Sequence, residues 1–127
     1  MIKVIHVEDD DDIRELVELS LKISGEFEVL SCASGIEAMS AVEAFKPDLL
    51  LLDVMMPNMN GVETLENIRN LEGFSMIPAI FVTARAGVDQ NQAVLKAGAL
   101  GVIVKPFDPL ELGGEVKTLF SDASMSS

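Results

Sequence analysis

The run "DLLLLD", Asp48 to Asp53, admits few structural settings. Four consecutive leucines leave no polar face, so a strand built from them must be covered on both sides. "IPAIFVT", Ile77 to Thr83, has the same character, and "GVIVK", Gly101 to Lys105, reads as another strand. Ile2 to Val7 and Phe27 to Ala33 are the remaining two. Between these runs the apolar period changes. Asp11 to Ser24 carries Ile13, Leu16, Val17 and Leu21 at helical spacing and stops at Gly25. Gly35 to Phe45 puts Ala38, Ala41, Val42 and Phe45 on one face before Lys46-Pro47 ends it. Val62 to Leu71 is helical through Leu65 and Ile68, and Val88 to Ala97 is a helix closed by Gly98. Pro109 to Phe120 is expected as a last helix, weakened in its middle by Gly113-Gly114. Residues 121–127, "SDASMSS", are expected to be a polar tail or linker stub behind one domain over residues 1–120. Five strands alternating with five helices predict an α/β fold, a parallel sheet with helices on both faces. Such sheets bind ligands outside the carboxyl ends of their strands, where the strand order reverses.

The chain has 127 residues, 49% of them hydrophobic, which suits one domain with a substantial core. A chain this long buries about two-thirds of its unfolded surface. No disulfide is needed, and none can form within the chain, because Cys32 is the one cysteine. That usage fits a reducing compartment, so a cytoplasmic location is expected. Cys32 itself reads as a small buried hydrophobe at a strand end. The start, Met-Ile-Lys, reaches acidic residues by position 8 and does not read as a signal peptide. No apolar run approaches the ~20 residues of a membrane span. A net charge of −12 repels phosphate backbones, and the lack of Trp and Tyr removes base-stacking platforms, so no nucleic acid is expected to bind this domain.

The strand ends carry the chemistry. "VIHVEDDDDI" follows the first strand with consecutive carboxylates from Glu8 to Asp12. Like charges repel, so either the run is solvated or something positive sits among it. Asp10, Asp11 and Asp12 open the first helix, where acidic side chains cap amides and favour the positive dipole end. Glu8 and Asp9 need another reason. In a parallel sheet they meet Asp53 after strand three, Thr83 after strand four and Lys105 after strand five. Clustered carboxylates gain nothing from packing, but they suit a hard divalent cation with oxygen ligands. An ammonium, a hydroxyl and a metal around one Asp suit phosphoryl transfer, with the carboxylate as nucleophile. Small Ala84, beside Thr83, leaves room for a phosphoryl group.

These motifs together resemble the receiver domain of response regulators, the phospho-acceptor module of two-component signalling, including chemotaxis regulators. "VEDD", "DVMMPNMNG", "VTA" and "VKPF" occur in the family's order, and the likeness spans residues 2 to about 120. The resemblance implies a flavodoxin-like, doubly wound sheet of strand order 2-1-3-4-5. It implies phosphorylation of Asp53 by a histidine kinase or histidine phosphotransfer protein. It also implies Mg²⁺, replaceable by Mn²⁺, on Asp9, Asp53 and the Met55 backbone carbonyl, with Glu8 acting through water. Thr83 and Lys105, with Ala84 beside them, would contact the phosphoryl group, and the Lys105-Pro106 bond would be cis. The switch would act on a downstream protein or on an output domain outside this chain.

One position departs from the family. Receivers often carry Tyr or Phe three residues before the strand-five Lys, whereas this chain has Val102, so the usual readout by a rotating ring is in doubt. Phe107 is not its equivalent and reads as a loop anchor. Three rivals are weaker. Aspartyl phosphohydrolases of similar fold need a second Asp two residues after the nucleophile, where Met55 stands. A flavodoxin would need a Ser/Thr/Gly-rich first loop, which "EDDDD" is not. A degenerate receiver disagrees with the intact Glu8, Asp9, Asp53, Thr83 and Lys105 set. His6, the one histidine, reads as a buried structural residue rather than a phosphodonor. The methionines are core filler, although Met55, Met56 and Met59 lie in the loop after Asp53, where they also suit a partner contact.

Overall fold

The computed structural model describes residues 1–84, 94 and 96–125, with side chains to residue 123. Its elements are β1 (Ile2–Val7), α1 (Asp11–Ser24), β2 (Phe27–Cys32), α2 (Gly35–Phe45), β3 (Leu49–Asp53), α3 (Gly61–Arg69), β4 (Ala79–Thr83), β5 (Gly101–Val104) and α4 (Leu112–Met125). The strands form one sheet of order β2-β1-β3-β4-β5, with every neighbouring pair parallel. Four helices lie among the described residues. The further helix expected over Val88 to Ala97 falls mainly on residues 88–93 and 95, outside the described residues; Val94 and Lys96 within it are helical.

Side chains alternate across a strand, so the four leucines of β3 divide between two cores. Leu49 and Leu51 join Val4, Ile80, Val82 and Ile103 beneath Val17 and Leu21 of α1 and Leu112 and Val116 of α4. Leu50 and Leu52 join Ile5, Val7, Ala79 and Phe81 against Ala38 and Val42 of α2 and Leu65 and Ile68 of α3. All four leucines are fully buried. The central strand thus needs apolar residues at every position up to Asp53, where the chain leaves the sheet.

The helix ends follow their capping chemistry. Asp10 is the N-cap of α1, its side chain accepting from the Asp12 and Ile13 amides at 2.9 and 3.1 Å. Asp11 and Asp12 lie in the first turn, and Asp11 pairs with Arg14. Gly25 closes α1 at φ 75°, a left-handed conformation that glycine adopts without strain. Ser34 caps α2, and Asn60 with Glu63 forms a capping box on α3. The expected outer three carboxylates therefore have the helix-start role anticipated for them.

The C-terminal helix corrects the sequence reading. It begins at Leu112, not Pro109, and runs to Met125, so residues 121–125 of the expected polar tail are helical. Gly113 and Gly114 then fall in the first turn instead of the middle. Their reason is tertiary: a Cβ on Gly113 would come within 2.8 Å of the Ser24 Cβ, so only glycine lets α4 approach the end of α1 this closely. β4 begins at Ala79, two residues after the expected start, because Pro78 has no N–H to give the ladder.

Candidate functional site

The strand order reverses between β1 and β3, and the carboxyl ends of those two strands carry the site. Glu8 continues β1 by one residue, its amide donating to Cys32 O at 3.1 Å, while Arg14 Nη1 holds the Glu8 carbonyl at 2.9 Å. Asp53 ends β3 opposite Val82, and Thr83 ends β4 opposite Val104. The Lys105 amide donates to Thr83 O at 2.7 Å, extending the β4–β5 ladder to the lysine. The Lys105-Pro106 peptide is cis, as the resemblance implied.

The loop after Asp53 turns back on itself. Val54 N donates to Val82 O, and Gly61 N donates to Val54 O, each at 3.0 Å. A Cβ on Gly61 would lie 2.3 Å from the Asp53 carbonyl oxygen, so any other residue would push the start of α3 off the end of β3. Met55 is exposed, and its amide donates to Asp53 Oδ1 at 3.4 Å. Asn67 Nδ2 donates to Met59 Sδ at 3.5 Å.

Glu8, Asp9 and Asp53 each offer a carboxylate oxygen, and these oxygens all lie within 4.8 Å of one another. Glu8 and Asp53 are buried, Asp9 is exposed. Lys105 reaches between the two buried carboxylates, its Nζ 2.6 Å from Glu8 Oε1 and 3.5 Å from Asp53 Oδ1. Asp10 N donates to the other Glu8 oxygen, Oε2, at 3.2 Å. Burial pushes the Glu8 carboxyl above its ordinary range, and the Asp53 charge adds to this, while the Lys105 hydrogen bond opposes both. Asp9 is raised by desolvation and by Glu8 beside it. Burial alone would lower the Lys105 ammonium, but its hydrogen bond to Glu8 and the Asp53 and Glu8 charges outweigh that and raise it. Three hard oxygen donors in one acidic cluster fit a small divalent cation.

The remaining expected positions fall as follows. Thr83 is buried at the strand end, and Ala84 is exposed beside it. Val102 is half-buried, opposite Phe81 in the register, and packs on the core that includes Val94. Phe107 packs against the α1/α4 core, the anchoring role expected of it. Cys32 is buried, with its thiol pushed up to about 11 by burial, so it is inert as a nucleophile. The direct Glu8–Lys105 pair is the ordinary ion pair that Lys105 opposite carboxylates allows, with Glu8 as the nearer partner.

His6 is buried on β1, as expected, and its imidazole is lowered to about 3 by burial first and then by the Lys105 and Arg14 charges. The unfolded chain takes up this proton near 6.5 and the folded chain does not, so stability is lost as pH falls below 6.5. At pH 5 that amounts to about 2 kcal/mol. Glu8 and Asp9, raised in the fold, act in the opposite sense, but they are shared by parent and variant. Urea titrations at pH 7.5 and 5 should therefore show the parent losing about 2 kcal/mol more than His6→Leu. Equal losses in the two proteins would mean that His6 is not the acid-sensitive group.

Comparison with known proteins shows what the chain is similar to. Residues 4–117 match the family model described as the response regulator receiver domain. The transcriptional regulatory protein PrrA of Mycobacterium tuberculosis is 37% identical over 117 residues, 92% of this chain and 49% of PrrA. The alkaline phosphatase synthesis transcriptional regulatory protein PhoP of Bacillus subtilis is 31% identical over 125 residues, 98% of this chain and 51% of PhoP. The chain thus spans about half the length of both regulators. The chemotaxis response regulator CheY4 of Vibrio cholerae superposes with a TM-score of 0.86 at 30% identity, covering 94% of this chain and 98% of CheY4.

Proposed function

The chain belongs to the response regulator receiver family, and from that membership we propose that Asp53 accepts a phosphoryl group from the phosphohistidine of a partner protein. The observation that carries the reading is the meeting of Asp53 with Glu8, Asp9 and the Lys105 ammonium at one end of the sheet. An Asp53 oxygen attacks phosphorus, the new P–O bond forms as the P–N bond to the donor imidazole breaks, and the released ring nitrogen takes up a proton. Asp9, Asp53 and the Met55 carbonyl would hold Mg²⁺, or Mn²⁺ in its place, with Glu8 acting through water. A cation so held supplies charge neutralisation for the phosphoryl oxygens. Lys105 pairs with a second phosphoryl oxygen and the Thr83 hydroxyl donates to a third, while the small Ala84 leaves them space.

The donor is a histidine kinase or a histidine phosphotransfer protein. A cleft of about 410 Å³ beside Lys105, lined by Ile13, Leu16, Ala84, Pro106 and Phe107, offers its apolar side chains a seat. The output is a downstream protein or a further domain outside residues 1–127. We read the chain as a switch and not a turnover enzyme, because Met55 stands where an aspartyl phosphohydrolase carries its acid/base Asp. Among the described residues no helix is long and apolar enough to cross a membrane, and a cytoplasmic setting fits both the partner class and the single cysteine. Incubation with acetyl phosphate tests the reading: intact mass should show one phosphoryl adduct in Mg²⁺, mapped to Asp53. Full labelling in excess chelator would sink it.

Readout is the point where this chain leaves its family. A β-branched valine at 102 is too short to fill the space behind Thr83 and has few rotamers to exchange. We assign readout to the backbone after Thr83, residues 84–97. Amide shifts on adding a beryllofluoride mimic should be large across that segment while the Val102 methyl rotamers stay fixed. A rotamer change at Val102 with 84–97 silent contradicts the assignment.

A further inference from the structure

We propose that an internal water molecule is bound between His6 and Ser31, beneath α1. His6 of β1 and Ser31 of β2 are register partners in a parallel pair, so their side chains leave the sheet on the same face. That face is the α1/α4 side: Val4 and Val29, two residues before each, pack in the same core as Val17 and Leu21 of α1. His6 is 1% exposed. His6 Nδ1 and Ser31 Oγ are both buried, and neither has a hydrogen-bond partner among the described residues. Two buried polar atoms on register-paired residues are an uncommon pairing, because buried polar groups are nearly always satisfied. One water satisfies both. The Ser31 hydroxyl can donate or accept, and a neutral imidazole nitrogen offers either a lone pair or a hydrogen. Buried waters of this kind typically bridge otherwise unsatisfied groups and remain as part of the fold. The inference does not rest on phosphotransfer, since neither His6 nor Ser31 is one of the clustered carboxylates.

A crystal structure of the full chain at about 1.5 Å resolution should place a water roughly 2.6–3.2 Å from both Nδ1 and Oγ. Density showing the two atoms in direct contact, or no water between them, overturns the proposal. A double-mutant cycle gives an independent sign. With the water bound, Ser31→Ala removes a needed partner and should lower the Tm of the parent, and lower it less in a His6→Leu background. If the hydroxyl is instead an unsatisfied group, Ser31→Ala should raise the Tm or change it equally in both backgrounds, and the water is then absent.

Discussion

Asp53→Asn should take up no phosphoryl group from acetyl phosphate or from a phosphohistidine donor, and its metal-free fold should be more stable than the parent. The two effects have one cause. Asn keeps the shape of the side chain but supplies neither a nucleophilic carboxylate nor its charge. Labelling therefore stops completely. The same change removes one of three acidic groups whose oxygens lie within 4.8 Å of each other. It also removes one of the two carboxylates facing Lys105, so the relief is partial, because attraction is lost with the repulsion. At the separations here and an effective dielectric near that of a protein surface, the balance is about 1 kcal/mol in favour of the variant. The parent should recover that deficit on adding Mg²⁺, and the variant should respond much less. Intact mass and urea titrations with and without Mg²⁺ read both halves. A phospho-adduct on Asp53→Asn removes the acceptor assignment. A clean loss of labelling with a less stable metal-free fold would leave the acceptor in place and remove the repulsion argument.

Much of this site was legible in one dimension for a specific physical reason. A parallel sheet brings all strand ends to one edge, so recognising five strands was enough to gather Glu8, Asp9, Asp53, Thr83 and Lys105. α1 and α2 were bounded as found, because their ends are written locally, in Asp10 and Gly25 for one and in Ser34 and Lys46 for the other. What escaped depends on contacts between distant segments. Gly113 looked like a helix weakener until Ser24, far away in the chain, was found against it. Gly61 is obligatory because of the Asp53 carbonyl, which no periodicity reveals. The Glu8–Lys105 pair spans 97 residues, so which carboxylate the ammonium meets first is set by the assembled sheet and by no local pattern.

That pair carries the last large effect. Lys105→Met should lower metal-free stability by about 3 kcal/mol at pH 8, because removing one partner of a buried ion pair leaves the other charge uncompensated. Glu8 is 1% exposed, its Oε1 is 2.6 Å from the ammonium, and Asp53 stands nearby with the same sign of charge. Methionine retains most of the lysine stem, so packing loss contributes little. The loss should depend on pH in a definite direction. The Glu8 carboxyl is already raised in the parent, and losing Lys105, which opposes that rise, drives it higher. A carboxyl raised by folding contributes stability below its unfolded value and loses it as pH rises through the folded one. The deficit should accordingly be smaller at pH 5 than at pH 8, because the raised Glu8 carboxyl takes up its proton earlier in the fold as pH falls. Two controls separate charge from shape. Mg²⁺ should restore Lys105→Met more than it stabilises the parent, since the cation replaces the missing positive charge. Glu8→Gln in the Lys105→Met background should recover part of the lost stability, because the nearer of the two buried carboxylates left without the ammonium is then uncharged and Asp53 alone remains. A deficit that is the same at pH 5 and pH 8, untouched by Glu8→Gln, would show that Lys105 supports the fold through its stem and not through Glu8.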